Sequence, residues 1–167
     1  MQPEVYEFLN KFFKAVDYRE LTDSESSKSQ LFDIKGSKVN IHYDRLKTKD
    51  DDYWFGISKN ILKDVDFFIF LCNEIQNYYV IPQNDLRAMM GSVKGSDSNP
   101  DALTFHIKLK ENLLRLSRYA EKDIRKYFRS LDYINGPKTI LQIGNIKKYF
   151  KRGKCAKSNF LHKQPKD

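Results

Sequence analysis

The segment QLFDIKGSKVNIHY, residues 30–43, decides how this fold is built, because its apolar residues alternate with polar ones at the period of a β-strand. Gly36 and Ser37 interrupt the alternation. We therefore predict a hairpin of two strands, Gln30–Lys35 and Lys38–Tyr43. The second of these strands places three apolar side chains on one face: Val39, Ile41 and Tyr43.

Further strand patterns follow toward the C-terminus. They are Tyr53–Ser58 (YWFGIS), Phe67–Cys72 (FFIFLC), Asn77–Ile81 (NYYVI), Thr104–Leu109 (TFHIKL) and Leu113–Ser117 (LLRLS). Phe67–Cys72 is apolar throughout, which is typical of a strand that is buried on both faces. The last two patterns flank Lys110-Glu111-Asn112 and predict a second hairpin.

Helical patterns lie on both sides of the strands. Apolar residues repeat at helical spacing over Pro3–Val16, and Asn84 can cap a short helix over Asp85–Met90. Two C-terminal helices are predicted, over residues 121–131 and 138–150, although a longer helix could instead begin at Asn112. These elements do not alternate strictly between strand and helix, so the pattern does not favour a layered α/β fold.

The predicted fold class is α+β, a partly open barrel (pseudobarrel) of about seven strands with an N-terminal helix and C-terminal helices. We predict one domain over residues 1–150, with a helix at 3–16, the barrel at 30–118 and the two C-terminal helices. Residues 151–167 would be a basic tail or linker.

Composition is typical of a globular protein in a reducing compartment. The 167 residues are 40% hydrophobic and 31% charged, and no apolar run approaches the roughly 20 residues that cross a bilayer. Glu4 and Glu7 stand where a secretory leader would be basic and apolar. With two cysteines there is neither a disulfide framework nor a zinc site, so we expect a cytoplasmic protein that does not enter membranes.

The net charge of +8 is concentrated in the C-terminal part of the chain. Residues 101–167 carry 17 Lys and Arg against 6 Asp and Glu, whereas residues 1–100 carry 13 against 16. So uneven a distribution indicates a surface for a polyanion, because neutralising phosphates releases condensed counterions. A lysine-rich surface exposed to water is the alternative, and charge alone does not separate the two.

Motifs for catalysis are sparse. Asp33-Ile34-Lys35 matches half of the pattern of a magnesium-dependent nuclease, whose other carboxylate would be Asp17 or Asp23. Neither of those lies in an apolar strand pattern, and a D-x-K triplet arises often by chance. The three histidines, His42, His106 and His162, lack metal-ligand spacing. We therefore predict a domain that is not itself an enzyme, with no metal site and no cofactor, and keep the nuclease as the alternative.

Two loops have the composition needed to contact bases in duplex DNA. The first supplies Arg45, Lys47, Thr48 and Lys49, and the second supplies Arg87, Ser92, Lys94, Ser96 and Asn99. Phosphate contacts are predicted at Lys35, Lys38, Lys59, Lys122 and Arg125, the last two on a cationic helix face. Four aromatic residues offer faces on which exposed bases could stack, although their strand patterns favour packing in the core: Tyr53, Trp54, Tyr78 and Tyr79.

The order of these motifs carries a family resemblance. The segments YWFGI, DFFIFLC, YYVIP, FHIK and DIRKYF, between residues 53 and 128, resemble in their order the N-terminal specificity domain of McrB-type restriction subunits, particularly those of the LlaJI type. That domain is similar to the pseudobarrels of plant auxin-response and abscisic-acid transcription factors and to the effector domain of EcoRII.

The resemblance implies a sequence-specific domain of a restriction system that reads the major groove of double-stranded DNA with two projecting arms, which map onto the two loops above. It also implies an AAA+ GTPase motor domain in the full-length protein and a separate nuclease subunit that cuts. Related pseudobarrels instead read modified bases in an aromatic pocket, for which Trp54 or Tyr53 would be the candidate wall.

Overall fold

The computed structural model describes residues 2–21, 29–45, 51–91, 101–116 and 120–136. The helices are α1 (Pro3–Phe12), α2 (Ile61–Asp64), α3 (Gln83–Met90) and α4 (Asp132–Asn135). The strands are β1 (Tyr18–Leu21), β2 (Ser29–Ile34), β3 (Ser37–Asp44), β4 (Asp52–Ser58), β5 (Phe67–Cys72), β6 (Tyr78–Pro82), β7 (Ala102–Lys108), β8 (Leu113–Leu116) and β9 (Ala120–Asp123). All of them lie in a unit that ends at Asn135.

The strands form two separate sheets. The first has the order β1-β2-β3-β5-β6 and is antiparallel except that β3 and β5 run parallel, and the second is antiparallel with the order β4-β7-β8-β9. A parallel pair needs a crossover connection. Here the chain leaves β3, forms β4 in the second sheet and then α2, and returns to the first sheet as β5. The α+β class is confirmed, but the described residues form two sheets of five and four strands that do not close into a barrel.

The hairpin predicted from residues 30–43 is present as β2 and β3. Lys35 and Gly36 form its two-residue turn, and both have positive φ angles, 52° and 77°. Two positive φ angles define the type I′ turn, whose twist matches that of the flanking strands. The turn fixes the register, in which Asp33 lies opposite Lys38.

Helix α1 covers one face of the first sheet. Val5, Phe8 and Leu9 are fully buried there, and the Phe8 ring lies 5.0 Å from that of Tyr78. Burying side chains of this size contributes roughly 1.5–3 kcal/mol each. The helix ends at Phe12, earlier than the predicted Val16, and a short 3-10 turn that includes Val16 follows.

The second sheet covers the opposite face of the first. Because successive side chains of β5 alternate, Phe68 and Phe70 face the second sheet while Phe67 and Ile69 face α1, and all are buried. Phe70 packs edge-on against Phe105 of β7, with ring centres 5.2 Å apart. The prediction that FFIFLC is buried on both faces is therefore confirmed.

The C-terminal elements differ from the prediction. The helix expected over residues 121–131 is wrong: β9 occupies its start and a 3-10 turn, Arg125–Tyr127, its middle. Pairing with β9 satisfies the backbone of β8, and Ile124 and Tyr127 still bury their side chains after it. The helix predicted over residues 138–150 lies outside the described residues.

Two smaller predictions also need correction. Strand β1 was not predicted, and α3 begins at Gln83 with Pro82 at its N-cap rather than with the predicted Asn84 cap. In the described part of the chain, no helix has the length and apolar composition that crossing a membrane requires.

Candidate nucleic-acid interface

The side of the second sheet that faces away from the first sheet is the candidate site, and we call it the outer face. On β4 the inward residues Tyr53, Phe55 and Ile57 are buried, so the alternate residues point outward. The same alternation on the other strands gives the outer face these members: Asp52, Trp54, Gly56, Ser58, Ala102, Thr104, His106, Lys108, Leu113, Arg115, Glu121 and Asp123.

A row of unlike side chains crosses the middle of the outer face. Trp54 lies opposite His106, and His106 lies opposite Arg115 on the next strand. Directly opposed residues have Cβ atoms about 4.5–5.5 Å apart, so an aromatic ring, an imidazole and a guanidinium stand side by side. Trp54 is 57% exposed, which is unusual for the largest apolar side chain. The prediction that Trp54 packs in the core is wrong, whereas Tyr53, Tyr78 and Tyr79 are buried.

Arg115 is left without an ion-pair partner among the described residues, although Glu121 lies opposite it on β9. The Glu121 carboxylate instead accepts a hydrogen bond from Lys108, at 3.1 Å, and Glu111 lies 3.6 Å from the same ammonium group. These carboxylates raise the pKa of Lys108. The positive charge of Lys108 is therefore balanced by these carboxylates, whereas Arg115, at the end of the row, has no described carboxylate to balance its charge.

His106 is held on its other side by Asp52. The imidazole Nδ1 lies 3.3 Å from the Asp52 carboxylate, a charge contact when the ring is protonated. It is not a hydrogen bond, since the Oδ1 atom of Asp52 has no hydrogen-bond partner in the described structure. Asp52 therefore orients the ring beside Trp54 and Arg115.

The two loops predicted to contact DNA are anchored at opposite ends of β4. Arg45 follows β3 and Asp51 precedes β4, at the end where the Trp54 amide donates to the Asp44 carboxylate, at 2.9 Å. At the other end the Lys59 amide donates to the Asp101 carbonyl, at 2.8 Å, beside the start of β7. A seven-residue strand spans about 20 Å, so the outer face lies between the two anchors.

Only two of the nine predicted base-contacting residues are described. Arg45 is exposed and pairs with Glu4 of α1, at 3.1 Å, and Arg87 is exposed in the last turn of α3 without a described ion-pair partner. The other seven lie outside the described residues: Lys47, Thr48, Lys49, Ser92, Lys94, Ser96 and Asn99.

The predicted phosphate contacts do not lie together. Lys35 and Lys38 are at the turn end of the hairpin in the first sheet, and Lys38 forms an ion pair with Asp64. Lys59 follows β4, and Lys122 and Arg125 are exposed on β9 and just after it. Glu121 and Asp123 take the outward positions of β9, so Lys122 lies on the inward side of this edge strand.

The carboxylates of the alternative nuclease motif lie at the hairpin turn. Lys35 Nζ lies 3.9 Å from Asp17 Oδ2 and donates a hydrogen bond to Asn135, at 2.8 Å. The Asp33 carboxylate accepts from the Gly36 amide, at 2.8 Å, and from Arg19, at 3.3 Å. No group of three metal-ligating side chains occurs among the described residues, and the Asp33 carboxylate lies 3.3 Å from the Arg19 guanidinium.

Two polar residues of β3, Asn40 and His42, are buried. The sequence analysis did not single out Asn40, whereas the strand pattern around His42 indicated a structural histidine. Both point between the two sheets, and Asn40 Oδ1 and His42 Nε2 have no hydrogen-bond partner in the described structure. Burial lowers the pKa of His42 to about 3, so the ring is neutral at neutral pH. Alternation within the strand was the signal for their position, because Val39, Ile41 and Tyr43 take one face of β3 and Asn40 and His42 take the other.

Comparison with known proteins gives a similarity in structure alone. No family model matches the sequence, and no curated protein sequence matches it. The solved structure of a bacterial homing endonuclease, I-Ssp6803I, is similar with a TM-score of 0.43 and 18% identity, over 87% of this chain and 88% of that chain.

This comparison contradicts the prediction that the domain is not an enzyme, because the protein of similar structure is an endonuclease. The similarity is to a homing endonuclease and does not test the resemblance to McrB-type domains.

Proposed function

We propose that this chain is a nuclease-type DNA-binding protein that holds double-stranded DNA on the outer face. The observation that carries the proposal is the row of Trp54, His106 and Arg115, in which an exposed aromatic ring and a guanidinium without a described ion pair stand on either side of an imidazole. An arginine fork matches the geometry of phosphate oxygens.

The position of the two loop anchors supports the same surface. They lie about 20 Å apart along β4, more than the roughly 12 Å width of the major groove. Segments that begin at these anchors can therefore reach the groove edges of a duplex that lies across β4. We propose that base readout belongs to these segments, and that Arg115 and Arg125 contact phosphates.

Binding of a labelled duplex, measured by fluorescence anisotropy over a series of salt concentrations, tests the proposal. Arg115→Ala should weaken binding to all duplexes alike and lower the slope of log K against log salt by about 1. Lys11→Ala is the matched control, because Lys11 is a cation of α1 on the far side of the first sheet. If the two variants bind equally well, the outer face is not the binding surface.

Cleavage of the DNA backbone is a second candidate function, favoured by the cluster at the hairpin turn. Asp17 is one of the two residues predicted to complete the nuclease motif, and it lies 3.9 Å from Lys35. It comes two residues before Arg19, which lies opposite Asp33 in the pairing of β1 with β2. Supercoiled plasmid, with and without Mg²⁺, is the substrate that tests this candidate.

Asp33→Asn should abolish cleavage by the motif while it preserves the fold, because an asparagine oxygen still accepts the Gly36 amide hydrogen bond. Nicking that survives in purified Asp33→Asn protein would exclude this motif as its source.

We further propose the finer assignment implied by the McrB and LlaJI resemblance, a recognition module of a restriction system that works with an AAA+ motor and a nuclease subunit. Selection of bound duplexes from a random pool tests it, since a recognition module enriches a defined sequence. A pool that stays random after several rounds would contradict sequence-specific reading.

A further inference from the structure

We propose that the outer face binds an unpaired nucleotide by stacking its base on Trp54. The inference rests on the proposed function, because it concerns the same surface, but it names a more specific ligand. Single-stranded DNA, or a duplex with an unpaired nucleotide, is then bound in preference to a fully paired duplex.

The space beside Trp54 is the first observation. Gly56 is two residues further along β4 on the same face, and Thr104 lies opposite it on β7. A Cβ atom added to Gly56 would meet Thr104 Cγ2 at 3.9 Å, an ordinary contact, with no other atom within 4 Å. The surface next to the tryptophan is therefore low and open, which leaves room for a flat ring against it.

The charge on the other side of Trp54 is the second observation. Arg115 is two strands away in the same row, about 10 Å from Trp54, and carries no described ion pair. A nucleotide whose base lies against Trp54 can thus place a phosphate of its own strand near the guanidinium. Aromatic stacking combined with a nearby cation is the usual basis of single-strand binding.

The choice between paired and unpaired DNA follows from which surfaces each exposes. In a duplex the faces of the bases are stacked inside the helix, and a protein meets base edges, sugars and phosphates. An exposed tryptophan gains less from those groups than from the free face of an unpaired base. In a single strand the base faces are free, and one stacked base strengthens binding by between about 5-fold and 150-fold.

Trp54 is the single tryptophan of the chain, so its intrinsic fluorescence reports on this site alone. The experiment titrates the full chain with an oligothymidylate of about 12 nucleotides and with a fully paired duplex. Binding itself is measured independently by anisotropy of labelled DNA. We expect the oligothymidylate to quench the tryptophan fluorescence strongly and the duplex to quench it weakly.

Variants separate stacking from general attraction. Trp54→Ala should weaken oligothymidylate binding at least 5-fold and duplex binding by a smaller factor, whereas Trp54→Phe keeps an aromatic face and most of the affinity. Gly56→Val fills the space beside the ring and should act like Trp54→Ala. Circular dichroism and thermal melting confirm that each variant is folded.

The outcomes distinguish this inference from the proposed function. If neither DNA binds, the proposed function and the inference both fail. If duplex DNA binds but oligothymidylate does not, or binds without changing the tryptophan fluorescence, only the inference fails. Equal loss of affinity for both DNAs in Trp54→Ala would also overturn the preference for unpaired nucleotides.

Discussion

His42 shows how a single buried residue couples this fold to pH. The ring lies between the sheets, 5.5 Å from Phe70, and burial lowers its pKa from 6.5 to about 3. The unfolded chain therefore binds a proton below pH 6.5 that the folded chain does not bind until about pH 3. Stability from this residue is complete above pH 6.5 and is lost as the pH falls toward 3.

We predict that His42→Phe flattens this dependence. Between pH 7 and pH 5 the native protein should lose about 2 kcal/mol of unfolding free energy through His42, and the variant should not. Urea unfolding at a series of pH values measures both, and the range lies above the ordinary carboxyl pKa values. The same loss in the variant and in the native protein would contradict a neutral, buried His42.

At the scale of an element, the turn between β2 and β3 is the clearest case of sequence chemistry. Gly36 has a φ angle of 77°, which L residues with side chains adopt at a cost. Its amide also donates to Asp33.

We predict that Gly36→Ala lowers the free energy of unfolding by roughly 1–2 kcal/mol. Chemical denaturation measures the change. Gly91→Ala offers a comparison, since Gly91 also has a positive φ angle but ends α3 instead of closing a hairpin. An unchanged midpoint for Gly36→Ala would mean that the turn adopts another geometry in solution.

The elements that were predicted correctly are those that depend on the local periodicity of apolar residues. The hairpin, Phe67–Cys72 and the strands β4, β7 and β8 follow from their apolar patterns, and the structure contains them within a few residues of the predicted limits. The stretch after Leu116 failed because Ile124, Tyr127 and Leu131 have helical spacing. Backbone pairing of β9 with the edge of β8 outweighs that helical spacing. The sequence pattern of one β-strand does not reveal which strand it pairs with.

The candidate site was only partly predictable for a related reason. Arg45 and Arg87 were found by composition, but Trp54, His106 and Arg115 became neighbours through the register of three strands. Arg115 was expected in the strand Leu113–Ser117, but the sequence did not predict that His106 lies opposite it. The outward position of Trp54 was in fact contained in YWFGIS, since its neighbours Tyr53 and Phe55 take the inward positions.

At the scale of the whole molecule, the two sheets differ in what covers their faces. The first sheet buries its faces against α1 and the second sheet, whereas the outer face of the second sheet carries the exposed Trp54. The net charge of +8 attracts DNA from a distance, so association should slow steeply as salt is added.

The central claim is that DNA lies on the outer face, and an NMR titration of ¹⁵N-labelled protein with duplex DNA tests it most directly. The account predicts shifts for the indole N–H of Trp54 and for the amides of β4, β7 and β8, while the amides of α1 stay in place. Shifts confined to α1 and the first sheet, with the Trp54 indole unmoved, would contradict it.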